Sequence, residues 1–251
     1  MSKYYYGRLK DKVDDRDYLF SNLLQKVELP PEVDLRNFCS AVRDQGQLGS
    51  CTGFSVTALR EFLELKYKKG FLTQSPFTTL SPLFIYYEER VIEHTIPYDA
   101  GAEIRDGMKV LARMGCATEH DVPYDISRFT KRPSFHAKKH AKKFKIGAYH
   151  SLRTLADMQT CLALGLGFTL GFDVYESFES EEVARTGMMP MPKAGEQLLG
   201  GHAVFCAGYR NDGRLIIKNS WGSNWGDKGY FYMPFEYVTP EHVSDNWTVT
   251  L

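Results

Sequence analysis

One cysteine, one histidine and two side-chain amides stand in contexts that suit nucleophilic catalysis. Cys51 follows Gly49-Ser50 at the predicted start of a helix, where free backbone N–H groups and the macrodipole favour an anion and hence a thiolate. Taken alone, a cysteine is more often an inert core residue. Gln45 changes that reading, because the glycine-rich turn Asp44-Gln45-Gly46-Gln47-Leu48-Gly49-Ser50-Cys51 can fold its amide back beside the thiol. Its NH2 and the Cys51 N–H would then converge on one oxygen, the arrangement that stabilises a developing oxyanion. His202 follows Gly200-Gly201 and opens the apolar run Ala203-Val204-Phe205-Cys206-Ala207, which places its imidazole at a strand end. A lone histidine there reads as structural. Asn219 opens Asn219-Ser220-Trp221-Gly222-Ser223-Asn224-Trp225-Gly226, in which an amide beside a large apolar ring can hold an imidazole and keep water away. By itself Asn219 would be a turn residue.

These residues must be positioned by regular elements. An amphipathic helix is expected from Ser50, its N-cap, with Phe54, Ala58, Phe62 and Leu65 on one face, until Gly70 ends it. Ser81-Pro82 opens a second helix through Arg90, and a third runs from about Ala102 to Met114, with Gly115 as its stop. A further helix is expected near Thr154 to Leu164, then β-prone runs at Phe168–Phe172, Ala203–Tyr209, Leu215–Lys218 and Tyr230–Met233. A helical half thus precedes a strand-rich half. Residues 1–32 are polar, carry the charge-rich stretch Lys10 to Tyr18 and end at the stiff pair Pro30-Pro31; they read as an appended segment. The basic run Lys138-Lys139-His140-Ala141-Lys142-Lys143 reads as a solvated helix face.

Composition excludes several classes. The 251 residues are 43% hydrophobic and 25% charged, with 31 basic residues against 31 acidic, which rules out disorder of the whole chain. Zero net charge gives no sequence-independent grip on nucleic acid or anionic lipid. The five cysteines are scattered and odd in number, which favours reduced thiols. No apolar run approaches the roughly 18 residues of a membrane span and no signal peptide is visible, so the expected location is the cytoplasm, or outside it by a route without a cleavable signal peptide. The sequon at Asn246 would be silent in the cytoplasm. Histidines and cysteines lack the close pairing of a zinc site; no metal and no cofactor is expected.

Together these residues resemble the papain-like (C1 family) cysteine peptidases, of the bacterial or viral type with a short N-terminal segment. The nucleophile motif reads Leu48-Gly49-Ser50-Cys51-Thr52, and His202 and Asn219 follow in the family's order at about 150 and about 170 residues downstream. Val33-Asp34-Leu35-Arg36 is similar to the start of the mature enzymes, and Pro123-Tyr124 to their Pro-Tyr segment. The motif departs from the family at Leu48, where a disulfide cysteine is usual, and at Thr52, where an aromatic is usual. Asp99-Ala100-Gly101-Ala102 stands where the family has its Cys-Gly-Gly strip, and Gly201 where a polar residue often precedes the histidine.

The resemblance implies an α+β fold of two domains: a helical left domain, about residues 44–145, and an antiparallel, β-barrel-like right domain, about residues 33–43 and 146–251, with the active-site cleft between them. It implies Gln45, Cys51, His202 and Asn219 as the catalytic set, with a thioester acyl-enzyme and an oxyanion hole from Gln45 and the Cys51 N–H. Substrate would be met by Gly101, Leu170, Gly201, Ala203 and Trp221, where Leu170 and Ala203 would form an apolar pocket for the second residue before the scissile bond. The expected partners are a peptide or protein substrate and the chain's own residues 1–32, acting as a propeptide-like segment in the cleft of a monomer, with no nucleic acid and no membrane. Padding of the right-hand domain is the alternative role for that segment. A silent relative would have lost at least one of the four catalytic residues, and all four are present; a transpeptidase or ligase would use the same set.

Overall fold

The computed structural model describes residues 2–23, 27–70 and 77–250. Nine strands and six α-helices follow one another as β1 (Arg8–Leu9), β2 (Val33–Asp34), α1 (Cys51–Gly70), α2 (Pro82–Ile92), β3 (Ala102–Glu103), α3 (Ile104–Arg113), α4 (Phe135–Ala141), β4 (Ala148–Ser151), α5 (Leu155–Ala163), β5 (Phe168–Tyr175), α6 (Glu181–Thr186), β6 (Leu198–Arg210), β7 (Arg214–Lys218), β8 (Tyr230–Pro234) and β9 (Val243–Thr250), among the described residues. The helix-then-strand order expected from the sequence is present.

The local chemistry of the helix starts explains most of these boundaries. Ser81 caps α2 by accepting from the Phe84 N–H at 3.0 Å, with Pro82 at the first helical position. Thr154 and Asp157 close a reciprocal capping box at the start of α5. At α1 the expected cap differs: the Ser50 hydroxyl meets the Tyr124 hydroxyl at 2.6 Å, and its carbonyl accepts from the Phe54 N–H. The third helix also starts later than expected, because Ala102 and Glu103 are drawn into β3, which pairs in parallel with β1.

The strands form one seven-stranded antiparallel sheet in the order β4-β9-β5-β6-β7-β8, with β2 beside β6. Its ends, β4 and β8, do not pair with each other among the described residues, so the sheet curls as an open barrel. Strand β6 separates two apolar cores by alternation, with a bulge between Cys206 and Gly208 shifting the pattern before Tyr209. Ala203, Phe205 and Ala207 face a helical core with Val56, Leu59, Phe62 and Met108, while Val204, Cys206 and Tyr209 face a second core with Leu170, Phe172, Phe178 and Phe231. The N-terminal segment is anchored to the second core as well: Phe20 is buried there, and the Ser151 N–H donates to the Tyr18 carbonyl at 2.8 Å.

Helices α1 and α2 approach most closely at Gly53, where a Cβ would lie 2.5 Å from the Pro82 carbonyl oxygen and 3.2 Å from Tyr86 Cβ. Because backbone cannot yield as a side-chain tip does, Gly53→Ala should destabilise by about 1–3 kcal/mol. That corresponds to a fall in melting temperature of roughly 2–10 °C for a domain of this size, readable by thermal unfolding; an unchanged midpoint would mean that the helices can separate freely.

Candidate active site

The sulfur of Cys51, the first residue of α1, is aimed at the backbone of β6. Backbone N–H groups of Ala203, Gly7 and Thr52 point at it, and the Cys51 side chain is wholly buried. Ala203 follows His202, so the fold brings the thiol within one residue of the imidazole although the two side chains belong to different halves of the chain. His202 Nε2 meets Asn219 Oδ1 at 2.8 Å, and that oxygen also accepts from the Ser220 N–H. Among the described residues His202 Nδ1 has no hydrogen-bond partner. Trp221 stacks near the imidazole at 4.9 Å between centroids and 21° between planes, covering the His202–Asn219 contact with an apolar ring.

Gln45 is held by the same loop. Its N–H donates to the Ser220 carbonyl at 2.9 Å, and Ser220 Oγ donates to Gln45 Oε1 at 2.6 Å, which turns Nε2 toward the thiol side. The two Nε2 protons go to the carbonyls of Leu48, at 2.9 Å, and Tyr5, at 3.1 Å. Ser220 escaped the reading of the sequence, although it sits between Asn219 and Trp221; nothing local reveals that a serine there orients a glutamine on another turn. Asp99 escaped too. Its carboxylate accepts from the Gly49 N–H at 3.0 Å and fixes the turn before Cys51.

Residues 4–10 lie along this site. Tyr4 stacks on Trp221 at 3.8 Å and 3°. Gly7 is packed backbone to backbone: a Cβ on it would fall 1.7 Å from the Gly49 carbonyl oxygen, and a Cβ on Gly101 would fall 2.2 Å from the Gly7 oxygen. At Gly101, the expected substrate contact, the segment is met by the neighbouring residue: the Ala102 N–H donates to the Gly7 carbonyl at 2.7 Å, while Gly101, at φ +74, permits the approach. Arg8 runs over Gly171 and Gly201. Trp221, Gly201 and Ala203 thus all border the segment or the thiol. Leu170 does not: it is wholly buried in the second core, because strand alternation turns residues 168, 170, 172 and 174 inward and presents Gly171 and Asp173 to the segment.

Desolvation dominates the electrostatics. Burial pushes the Cys51 thiol up to about 11 against the helping backbone N–H groups, and burial pulls His202 down to about 4 against its bond to Asn219. Beneath the segment the pair is therefore neutral at neutral pH. Asp121, His136 and His140 form the one cluster of metal-ligand types among the described residues, away from this site.

Three comparisons place this arrangement. The model of the papain family cysteine protease matches residues 29–239. A peptidase C1-like protein of Acanthamoeba polyphaga mimivirus is 36% identical over 97% of this chain and 86% of its own length. The crystal structure of xylellain, a cysteine protease from Xylella fastidiosa, superposes with a TM-score of 0.88 at 36% identity, covering 99% of this chain and 96% of that one. Digestive procathepsin L 3 of the Tenebrio molitor larval midgut shares the fold, with a TM-score of 0.69 at 21% identity over 90% of this chain and 71% of that one.

The neutral pair gives a pH signature. Burial holds the thiol un-ionised, so alkylation of Cys51 by iodoacetamide in the full chain should be slow at pH 7 and rise with pH. Peptide mapping after timed alkylation measures it. Fast labelling of Cys51 that stays level between pH 5 and pH 9 would show an ionised pair instead.

Proposed function

The chain belongs to the papain family of cysteine proteases and is a peptidase, and we propose that Cys51, His202, Asn219 and Gln45 carry its chemistry while residues 2–10 restrain it. The placing of the Cys51 sulfur against the N–H of Ala203, the residue after the Asn219-bonded His202, under a segment whose Tyr5 carbonyl already takes a Gln45 proton, is the observation that supports this reading.

When the segment withdraws and water enters, the desolvation that holds both groups neutral is relieved. His202 Nδ1, the ring nitrogen left unpartnered, takes the Cys51 proton, and the thiolate is favoured by the start of α1 and by the N–H groups around the sulfur. The thiolate attacks the scissile carbonyl carbon. Charge on its oxygen is met by Gln45 Nε2 and the Cys51 N–H, where one such donor contributes about 2.7–4 kcal/mol. Protonated His202 gives its proton to the leaving amine, the bond to nitrogen breaks, and a thioester remains. Water, deprotonated by His202, then releases the acid and restores the thiol. Asn219 keeps the ring turned so that Nδ1 faces sulfur.

The bound segment presents the Gly7 N–H to the sulfur, and the thiol beneath it is held neutral by burial, which leaves it a poor nucleophile. A tethered peptide meets its site at an effective concentration near millimolar, which keeps a weak contact occupied. The segment also stabilises the fold through Phe20, so its two parts act differently.

Residues 2–9 and Phe20 separate these roles. Deleting residues 2–9 should raise hydrolysis of a blocked fluorogenic peptide by about tenfold or more, whereas Phe20→Ala should lower the melting temperature, as loss of a buried phenylalanine costs about 3–5 kcal/mol. Cys51→Ala should abolish activity, and Gln45→Ala should lower kcat by about 10²–10³. A deletion that only destabilises, with no gain in hydrolysis, would leave the segment as padding; an active Cys51→Ala variant would overturn the catalytic assignment.

A further inference from the structure

The pocket beside the thiol is acidic, not apolar. Arg8, next in sequence to the glycine that lies on Cys51, sends its guanidinium between two carboxylates: Nη1 to Asp173 Oδ1 at 3.1 Å and Nη2 to Asp245 Oδ2 at 3.0 Å, with Nη2 also donating to Ser244 Oγ. The Arg8 side chain is 1% exposed, against 11% for Asp173 and 7% for Asp245. Lys10 adds a second cation, 3.0 Å from Asp173 Oδ2. The floor is made by glycine: a Cβ on Gly171 would lie 2.3 Å from Arg8 Nε, and one on Gly201 3.0 Å from Arg8 Cδ. Any side chain there would close the channel along which the arginine stem runs.

The acidic wall is placed by an irregularity of the sheet. Pairing of β5 with β9 jumps from Thr169↔Trp247 to Gly171↔Ser244, leaving Asp245 and Asn246 opposite Leu170. Asp245 takes up the excess in the left-handed region at φ +59. A bulge of this kind re-aims a side chain, and a non-glycine residue held there is kept by its surroundings. Here it aims a carboxylate at the same spot as Asp173.

We infer that, in the peptidase proposed above, Asp173, Ser244 and Asp245 form the pocket for the second residue before the scissile bond, and that the substrates it takes are peptides with arginine or lysine at that position. Arg8 is a tethered copy of that side chain. When the segment leaves, its Arg8, Lys10 and Asp11 leave with it, and two carboxylates remain facing one channel with no cation between them. A guanidinium satisfies both at once through its planar fork; lysine satisfies them as a point charge; leucine leaves both unpaired, and glutamate adds a third like charge.

The test uses the full chain carrying Arg8→Ala, which empties the pocket, and four blocked fluorogenic dipeptides that share the residue before the scissile bond and carry Arg, Lys, Leu or Glu ahead of it. We expect kcat/KM to fall in that order, with Arg above Leu by about tenfold or more, and Asp245→Asn in the same background to reduce the Arg-to-Leu ratio by about tenfold. Leucine cleaved as well as arginine would overturn the pocket while leaving the peptidase intact. A second arm needs no hydrolysis: Cys51 alkylation rates in the full chain. Arg8→Lys should label at a rate between the parent and Arg8→Leu, and Arg8→Leu should label about tenfold faster than the parent; an Arg8→Leu variant labelled no faster than the parent overturns the pocket. If the chain lacking residues 2–9 also cuts none of the four peptides, the peptidase reading fails and the alkylation arm alone decides the pocket.

Discussion

The packing of α1 against β6 is the constraint on which the site rests. Each element belongs to a different part of the chain, and each has an apolar face that must be buried: Val56, Leu59 and Phe62 on the helix, Ala203 and Phe205 on the strand. Burying those faces together fixes the start of the helix against Ala203, the strand residue that follows His202, with no bond between thiol and imidazole having to hold it there. The alternation of β6 does the rest, since the residues that do not face the helices anchor the strand in the second core. Small side chains at 203 and 207 let the helix come close; a larger residue at either would push Cys51 away from the imidazole.

The same closeness makes the pair sensitive to whatever covers it. A thiolate and an imidazolium need water or fixed dipoles to be stable, and the segment of Tyr4 to Arg8 removes the water. It does so with backbone where the site is narrow, at Gly7 between Gly49 and Gly101, and with side chains where it widens, at Tyr4 over Trp221 and Arg8 over Gly171. The glycine at position 7 is required by the space and the arginine at position 8 by the charge.

Legibility followed the range of the interactions. Cys51, Gln45, His202 and Asn219 stand out because each sits in a short run whose turn and helix signals are local, and the main helices and strands follow from periodicity and caps. What was hidden depends on contacts across long separations. Residues 102 and 103 look helical until β1 pairs with them. Leu170 is a pocket residue only by the resemblance, since an apolar strand gives no sign of which face is turned where; the alternation turns it into the second core and presents Gly171 and Asp173 to the segment. Asp245 could not be foreseen, since it reaches the site only through a bulge that exists between two strands and not within either.

The departure at Thr52 is answered inside the helical half. The Thr52 hydroxyl donates to Glu89 Oε2 at 2.7 Å, and Glu89 is wholly buried near Glu93 and Asp106. Burial pushes the Glu89 carboxyl well above the usual carboxylate range, against the pull of that hydrogen bond, and the neighbouring acids push it the same way. An ionised carboxylate one residue behind the nucleophile would raise the thiol further, the direction in which Glu89 acts on Cys51. Crowding acids around Glu89 therefore favours its neutral form, which keeps a polar partner for Thr52 at the base of α1 while setting less negative charge against the thiolate that the helix start favours.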